Sequence, residues 1–113
     1  KNKFEKVVNH FSNIKFASIG TKSASKHIAG TEDLRGEDIV DYMASADLII
    51  GPSSGPIHLA SLCGLKHLAW GVENNINRYK YDWNPHNTEM EYIISENWDP
   101  STKEVKDKME SLL

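Results

Sequence analysis

Ser53, Ser54 and Gly55 sit between an apolar run, Asp47-Leu48-Ile49-Ile50, and a second apolar stretch that starts at Ile57. Small residues at such a position let a ligand approach the backbone, and two hydroxyls add hydrogen-bond donors. Pro56 suits the first turn of a helix, where its missing N–H is not needed. His58 then falls in that same turn. A helix N-terminus leaves free N–H groups and carries a partial positive charge, so the chemistry open to this pattern is the holding of an anion such as phosphate. Two readings stand. One is a phosphate cradle with His58 as a donor. The other is an ordinary helix cap with a tight turn and a structural histidine, which the same residues also explain.

Other side chains are candidates by type. Arg78, with Tyr79 and Lys80, lies in a long polar stretch and can pair with phosphate or stay solvated. Tyr81 and Trp83 can stack on a sugar or base, or cover a sheet edge. Cys63 is the only cysteine, which excludes a disulfide framework and a cysteine-based zinc site. Its apolar setting suggests a small buried hydrophobe and not a nucleophile. His10, His27, His58, His67 and His86 lack the paired helical spacing of a zinc site. Asp33 and Arg35 flank Leu34 before Gly36, by themselves only a turn. The string Gly51-Pro52-Ser53-Ser54-Gly55-Pro56 is not a nucleophile elbow, and the glycine fingerprint of dinucleotide binding is absent.

Elements must position these residues. Phe4, Val7, Val8 and Phe11 fall on one helical face, and Ile14 to Ile19 alternates like a strand ending at Gly20. Thr21 to Lys26 reads as loop, His27 to Gly30 as a short extra strand and Thr31 to Gly36 as turn. Glu37 to Ala46 reads as helix, with Glu37 and Asp38 in a first turn that favours acidic side chains. Strand Asp47 to Ile50, helix Ile57 to Cys63, stop at Gly64 and strand Lys66 to Trp70 form a βαβ unit with a parallel sheet. Val72 to Thr88 has no clear period and is long for a connection, as functional loops often are. Glu91 to Ile94 is the last strand. Ser101 or Thr102 caps a final helix with Val105, Met109 and Leu112 on one face. Alternation of this kind implies an α/β fold, an open and mostly parallel Rossmann-like sheet with helices on both faces. Ligands then bind outside the strands' carboxyl ends, at Gly20 to Ser23, Gly51 to Gly55 and Gly71 to Asn75.

The 113 residues suit one domain, residues 1–113, and the net charge of -3 argues against non-specific nucleic-acid binding. No apolar run approaches the roughly 20 residues of a membrane span, and Lys1 to His10 is too polar for a signal peptide. With one cysteine, the expectation is a cytoplasmic protein. Lys1 opens the chain without an initiator Met and already in a helical pattern. The expectation is therefore an excised part of a larger chain.

Taken together, the strand, turn and helix from Ala46 to Gly64 resemble the donor-binding half of the ADP-heptose:lipopolysaccharide heptosyltransferase-like glycosyltransferases, glycosyltransferase family 9. Ala46, Asp47, Leu48, Gly51, Ser54, Gly55, Pro56, His58, Leu59, Ala60 and Gly64 carry the match. Asp33-Leu34-Arg35-Gly36 is similar to a second family motif upstream. The resemblance implies the C-terminal half of a two-domain GT-B fold, truncated at its N-terminus, and a bacterial enzyme of lipopolysaccharide synthesis. That enzyme would transfer a sugar without a metal or other cofactor from a nucleotide-diphosphate sugar, ADP-linked in the family, to a saccharide or lipid-linked acceptor. It implies that Ser53, Ser54, Gly55, Pro56 and His58 face the donor diphosphate, and that Asp33, Leu34 and Gly36 lie near the nucleobase and ribose. The loop after Gly71, with Glu73 and Arg78, would lie near the donor sugar. A preceding acceptor-binding domain would supply the catalytic base, so no catalytic residue is assigned in this chain, which would be incomplete alone. The enzyme would sit in the cytoplasm, at the inner face of the membrane. Copies would be able to pair through an exposed sheet edge. Two departures stand out. Ser53 occupies the place of a family Asp that approaches the donor sugar, and Trp70-Gly71-Val72-Glu73-Asn74-Asn75 replaces the family's usual segment after the second strand. The alternatives are a nucleotide-sugar epimerase-like domain and a non-catalytic binding module of the same fold.

Overall fold

The computed structural model describes residues 3–23, 26–52, 55–76, 84 and 86–113. The chain is α/β, with two small parallel sheets and helices, and divides into two compact units, Lys1–Asp41 and Tyr42–Leu113. No helix among the described residues is long and apolar enough to cross a membrane.

In the first unit, helix α1 (Lys3–His10) buries Val7, and Phe11 follows it into the core. Strands β1 (Ala17–Ser18) and β2 (Glu32–Asp33) pair in parallel. Their ladder runs beyond these residues. The amides of Glu32, Leu34 and Gly36 donate in turn to the carbonyls of Phe16, Ser18 and Gly20 at 2.9, 2.9 and 2.7 Å. Gly36 takes a left-handed φ of 83°, which a glycine adopts at no steric cost. This corrects two expectations. His27 to Gly30 is not a strand, and the stretch Thr31 to Gly36 supplies one instead of a turn. The reason is polar. Thr31 Oγ1 donates to Ile28 O at 2.6 Å and closes a turn over residues 28–31, so the strand starts only after it.

Helix α2 is short, Val40–Met43, where a helix over Glu37 to Ala46 was expected. Asp38 Oδ1 accepts from Val40 N at 3.1 Å and starts the helix there, and Tyr42 and Met43 carbonyls are taken by Ser45 and Ala46 N–H groups at its end. Local side-chain bonds of this kind compete with helix propagation.

The second unit is built on a parallel sheet in the order β3 (Ile49–Pro52), β4 (His67–Gly71), β5 (Met90–Ile94). Strand β3 starts later than expected and runs through Pro52. Helix α3 (Gly55–Leu62) connects β3 to β4 and packs on both. Gly64, at φ 74°, ends it: Leu65 N donates to Ala60 O and Gly64 N to Ser61 O, the paired bonds of a left-handed helix stop. Helix α4 (Thr102–Leu112) begins at a capping box. Ser101 accepts from Glu104 N, and Glu104 accepts from Ser101 N. Register sets the layers. Gly51 lies against Ile57 of α3 and is level with Ala69 and Tyr92, while Glu91, level with Leu68, accepts from Lys108 of α4 at 3.0 Å. The two helices therefore cover opposite faces. All five residues of β4 are buried, as the middle strand of a doubly covered parallel sheet requires.

Candidate functional site

Parallel pairing fixes where the site can be. β3 and β4 run the same way, so the chain leaves β3 at the sheet's carboxyl end, and α3 begins there at Gly55. The amides of that first turn have no partner within the helix. Ile57, Ala60 and Ser61 are buried and hold the helix on the sheet. Pro56 and His58 are half-buried in its first turn, and the Nδ1 atom of His58 is buried. Ser53 and Ser54 lie outside the described residues, as do Arg78 and the aromatic residues Tyr79, Tyr81 and Trp83. Glu73 is exposed and opens a 3-10 helix (Glu73–Asn75) directly after β4. Tyr92 Oη donates to Val72 O at 2.9 Å and anchors the start of that helix against β5.

Asp33, Leu34 and Gly36 belong to the first unit. There they lie along the carboxyl end of β1, and the aliphatic stem of Lys22 lies beside Gly36. Asp33 is not a loose turn residue. Its Oδ1 accepts from Arg35 Nε at 2.8 Å and from Arg35 N at 3.1 Å, and its Oδ2 from Arg35 Nη2 at 3.0 Å. This fork holds the Asp33 carboxyl well below the usual carboxylate range and raises the Arg35 guanidinium. Leu34 is buried, so its side chain belongs to the core.

Cys63 corrects its expectation. It is exposed, in the turn after α3, next to Leu62, which is also exposed. Among the described residues no group of three or more His, Cys, Asp or Glu side chains could hold a metal ion.

Two polar features at the other end of the sheet from the turn were not singled out from sequence. Ser61 Oγ donates to Asn84 Oδ1 at 3.1 Å in the interior, and the Asn84 amide also exchanges bonds with Thr88 N and O at 2.8 and 2.9 Å. The loop after β4 is thus tied to α3. The other is His67, at 0% exposure on the middle strand. Its Nδ1 donates to Leu65 O at 2.9 Å, which leaves Nε2 as a buried acceptor with no partner among the described residues. Burial pushes its pKa down, against the smaller opposing effect of that carbonyl. The signal for His67 was its place in the run Leu65 to Trp70, where Leu65, Leu68, Ala69 and Trp70 read as core.

Comparison with known protein families, curated proteins and solved structures found no match.

Proposed function

We propose that this chain binds the diphosphate of a nucleotide sugar, as the donor half of an inverting, metal-independent glycosyltransferase of the heptosyltransferase type. In this reading the parallel sheet is part of a Rossmann-like domain, the C-terminal half of a GT-B fold. The observation that carries it is the start of α3 at Gly55, at the carboxyl end of β3, within the stretch Ala46 to Gly64 that resembles that family. The acceptor hydroxyl attacks the anomeric carbon, and the leaving diphosphate accepts from the Ser54 hydroxyl and the free amides of the first turn. Fixed dipoles of this kind act where charge develops and need not reorganise during the reaction. Glu73, just after β4, accepts from sugar hydroxyls. A preceding domain binds the saccharide or lipid-linked acceptor and supplies the base. Ser53, where the family has Asp, favours a second reading, a module that binds the nucleotide and transfers nothing.

Calorimetric titration of the full-length protein with ADP, UDP, GDP and their sugars tests this. Ser54→Ala and His58→Ala should each weaken diphosphate binding about tenfold, the size of one hydrogen bond to a charged group. Unchanged affinity in both variants would overturn the assignment. Tight nucleotide binding without sugar release would select the second reading.

A further inference from the structure

Trp98 is out of place in two ways. It keeps 42% of its surface exposed, and its backbone is left-handed, at φ 58°. Among the described residues other than glycine only Asn87 shares that sign, and asparagine tolerates it through local bonds of its short amide. For a bulky residue it is a true outlier, and it persists only where the surroundings hold it.

The surroundings do hold it. Ser95 N donates to Gly71 O at 2.8 Å, one rung beyond the β4–β5 ladder. Trp98 N donates to Ser95 O at 3.1 Å. Asp99 N donates to Ser95 Oγ at 3.0 Å and to Asn97 Oδ1 at 3.2 Å, and Ser95 Oγ donates to Asn97 Oδ1 at 2.8 Å. The loop is clamped to the carboxyl end of the sheet, the end at which open α/β sheets bind ligands. Gly71, the anchor of this loop, is followed after one residue by the exposed Glu73. Glu96 and Asp99, both exposed, flank Trp98 in the chain.

The chemistry selects one kind of ligand. An indole face is electron-rich and suits the C–H face of a saccharide ring. Carboxylates accept from sugar hydroxyls and repel phosphate. We propose that Trp98 is the stacking platform of a saccharide subsite at the carboxyl end of β4 and β5, with the carboxylates of Glu73, Glu96 and Asp99 as hydroxyl acceptors. The subsite deepens the donor-site reading and rests on it only for the diphosphate end of the ligand.

The test follows the Trp98 indole N–H resonance of the full-length protein in titrations. The probes are methyl glucoside, methyl galactoside and methyl mannoside, with ADP and UDP as anions and tetramethylammonium as a cation. At least one hexoside should shift the resonance saturably. Trp98→Gly removes the ring and suits the left-handed backbone; by calorimetry it should weaken hexoside binding about tenfold, as one aromatic contact would, and leave ADP and UDP binding unchanged. Trp98→Phe should fall between. The subsite is wrong if no hexoside binds, if Trp98→Gly leaves hexoside affinity intact, or if it lowers ADP affinity as much. Tighter binding of tetramethylammonium than of every hexoside would also overturn it, because an aromatic face among carboxylates then serves a cation. Hexoside binding without diphosphate binding would sink the donor-site reading and leave this one standing. Diphosphate binding without hexoside binding would do the reverse.

Discussion

The unit Tyr42–Leu113 is built around a middle strand with no exposed residue, covered by a helix on each face. Among its described residues the unit Lys1–Asp41 has a two-stranded ladder and one eight-residue helix, and it buries a serine, Ser18. Ser18 Oγ accepts from Ile28 N at 3.1 Å and bonds Thr31 Oγ1 at 2.7 Å. Since the Thr31 hydroxyl donates to Ile28 O, the Ser18 hydroxyl must donate to Thr31. His27 Nε2 donates to Thr31 O at 2.8 Å and adds a further bond. One unit is thus held mainly by apolar area, the other by short directional bonds around a few apolar side chains. A fully buried leucine is worth about 1.5–3 kcal/mol and a net hydrogen bond about 0.5–1.5 kcal/mol. The two units should therefore answer differently to deletion of a side chain.

The largest response belongs to Leu68, at 0% exposure on the middle strand β4. Leu68→Ala should cost about 2–5 kcal/mol, because the covered sheet cannot collapse into the space. Urea unfolding followed by circular dichroism measures it. Hydrogen exchange should show the loss in the amides of β3, β4 and β5. A loss below about 1 kcal/mol would remove apolar packing as the basis of that unit.

Ser18→Ala is the matching change in the first unit, and a smaller one. It strands the Ile28 N–H in a partly buried site and should cost about 1–3 kcal/mol. Amides along the β1–β2 ladder, those of Glu32, Leu34 and Gly36, should exchange faster, while those of β4 keep their protection. Equal loss in both units would mean that they unfold together.

The same contrast decides what could be read from the sequence. Helices α1, α3 and α4 and strands β4 and β5 were legible, as was a cap at Ser101 or Thr102, because apolar period, a capping hydroxyl and a stopping glycine all act locally. In the first unit the strand at Glu32–Asp33 was missed. It carries no apolar pattern, and its place is set by hydroxyl bonds between residues 18, 28 and 31. Helix α2 came out short for a similar reason, the Asp38 side chain. Around the candidate site, the helix start near Gly55 was legible from small residues and Pro56. The Asp33–Arg35 fork was not, since two opposite charges flanking one residue mark a turn but not a bidentate pair. Nor was Cys63, which is exposed together with Leu62 at the end of α3, where a mostly apolar run does not show which side faces out.

Acid should separate the units a third time, through one group in each. His67 in the second unit is held neutral by burial, its folded pKa lower than the ordinary value. The unfolded chain then takes up a proton that the folded chain refuses. Stability is complete above about pH 6.5, the unfolded value, and falls as the pH drops below it. In the first unit the Arg35 fork holds the folded Asp33 carboxyl low. Its contribution is complete above about pH 3.9 and is lost only as the pH falls below that towards the folded value. It is the smallest effect, because the Asp33 carboxyl is exposed and the pair is screened by water and salt. Hydrogen exchange resolved by unit, across denaturant series at pH 7, 5 and 3, reads both. Tyr42–Leu113 should lose stability between pH 7 and 5, and the Asp33 contribution should appear only between pH 5 and 3 and shrink in high salt. An NMR titration in which His67 takes up a proton at its ordinary pH, with no loss of protection in β4, would break the contrast. A proton there would then have found a partner or water, which a closed core around His67 Nε2 does not allow.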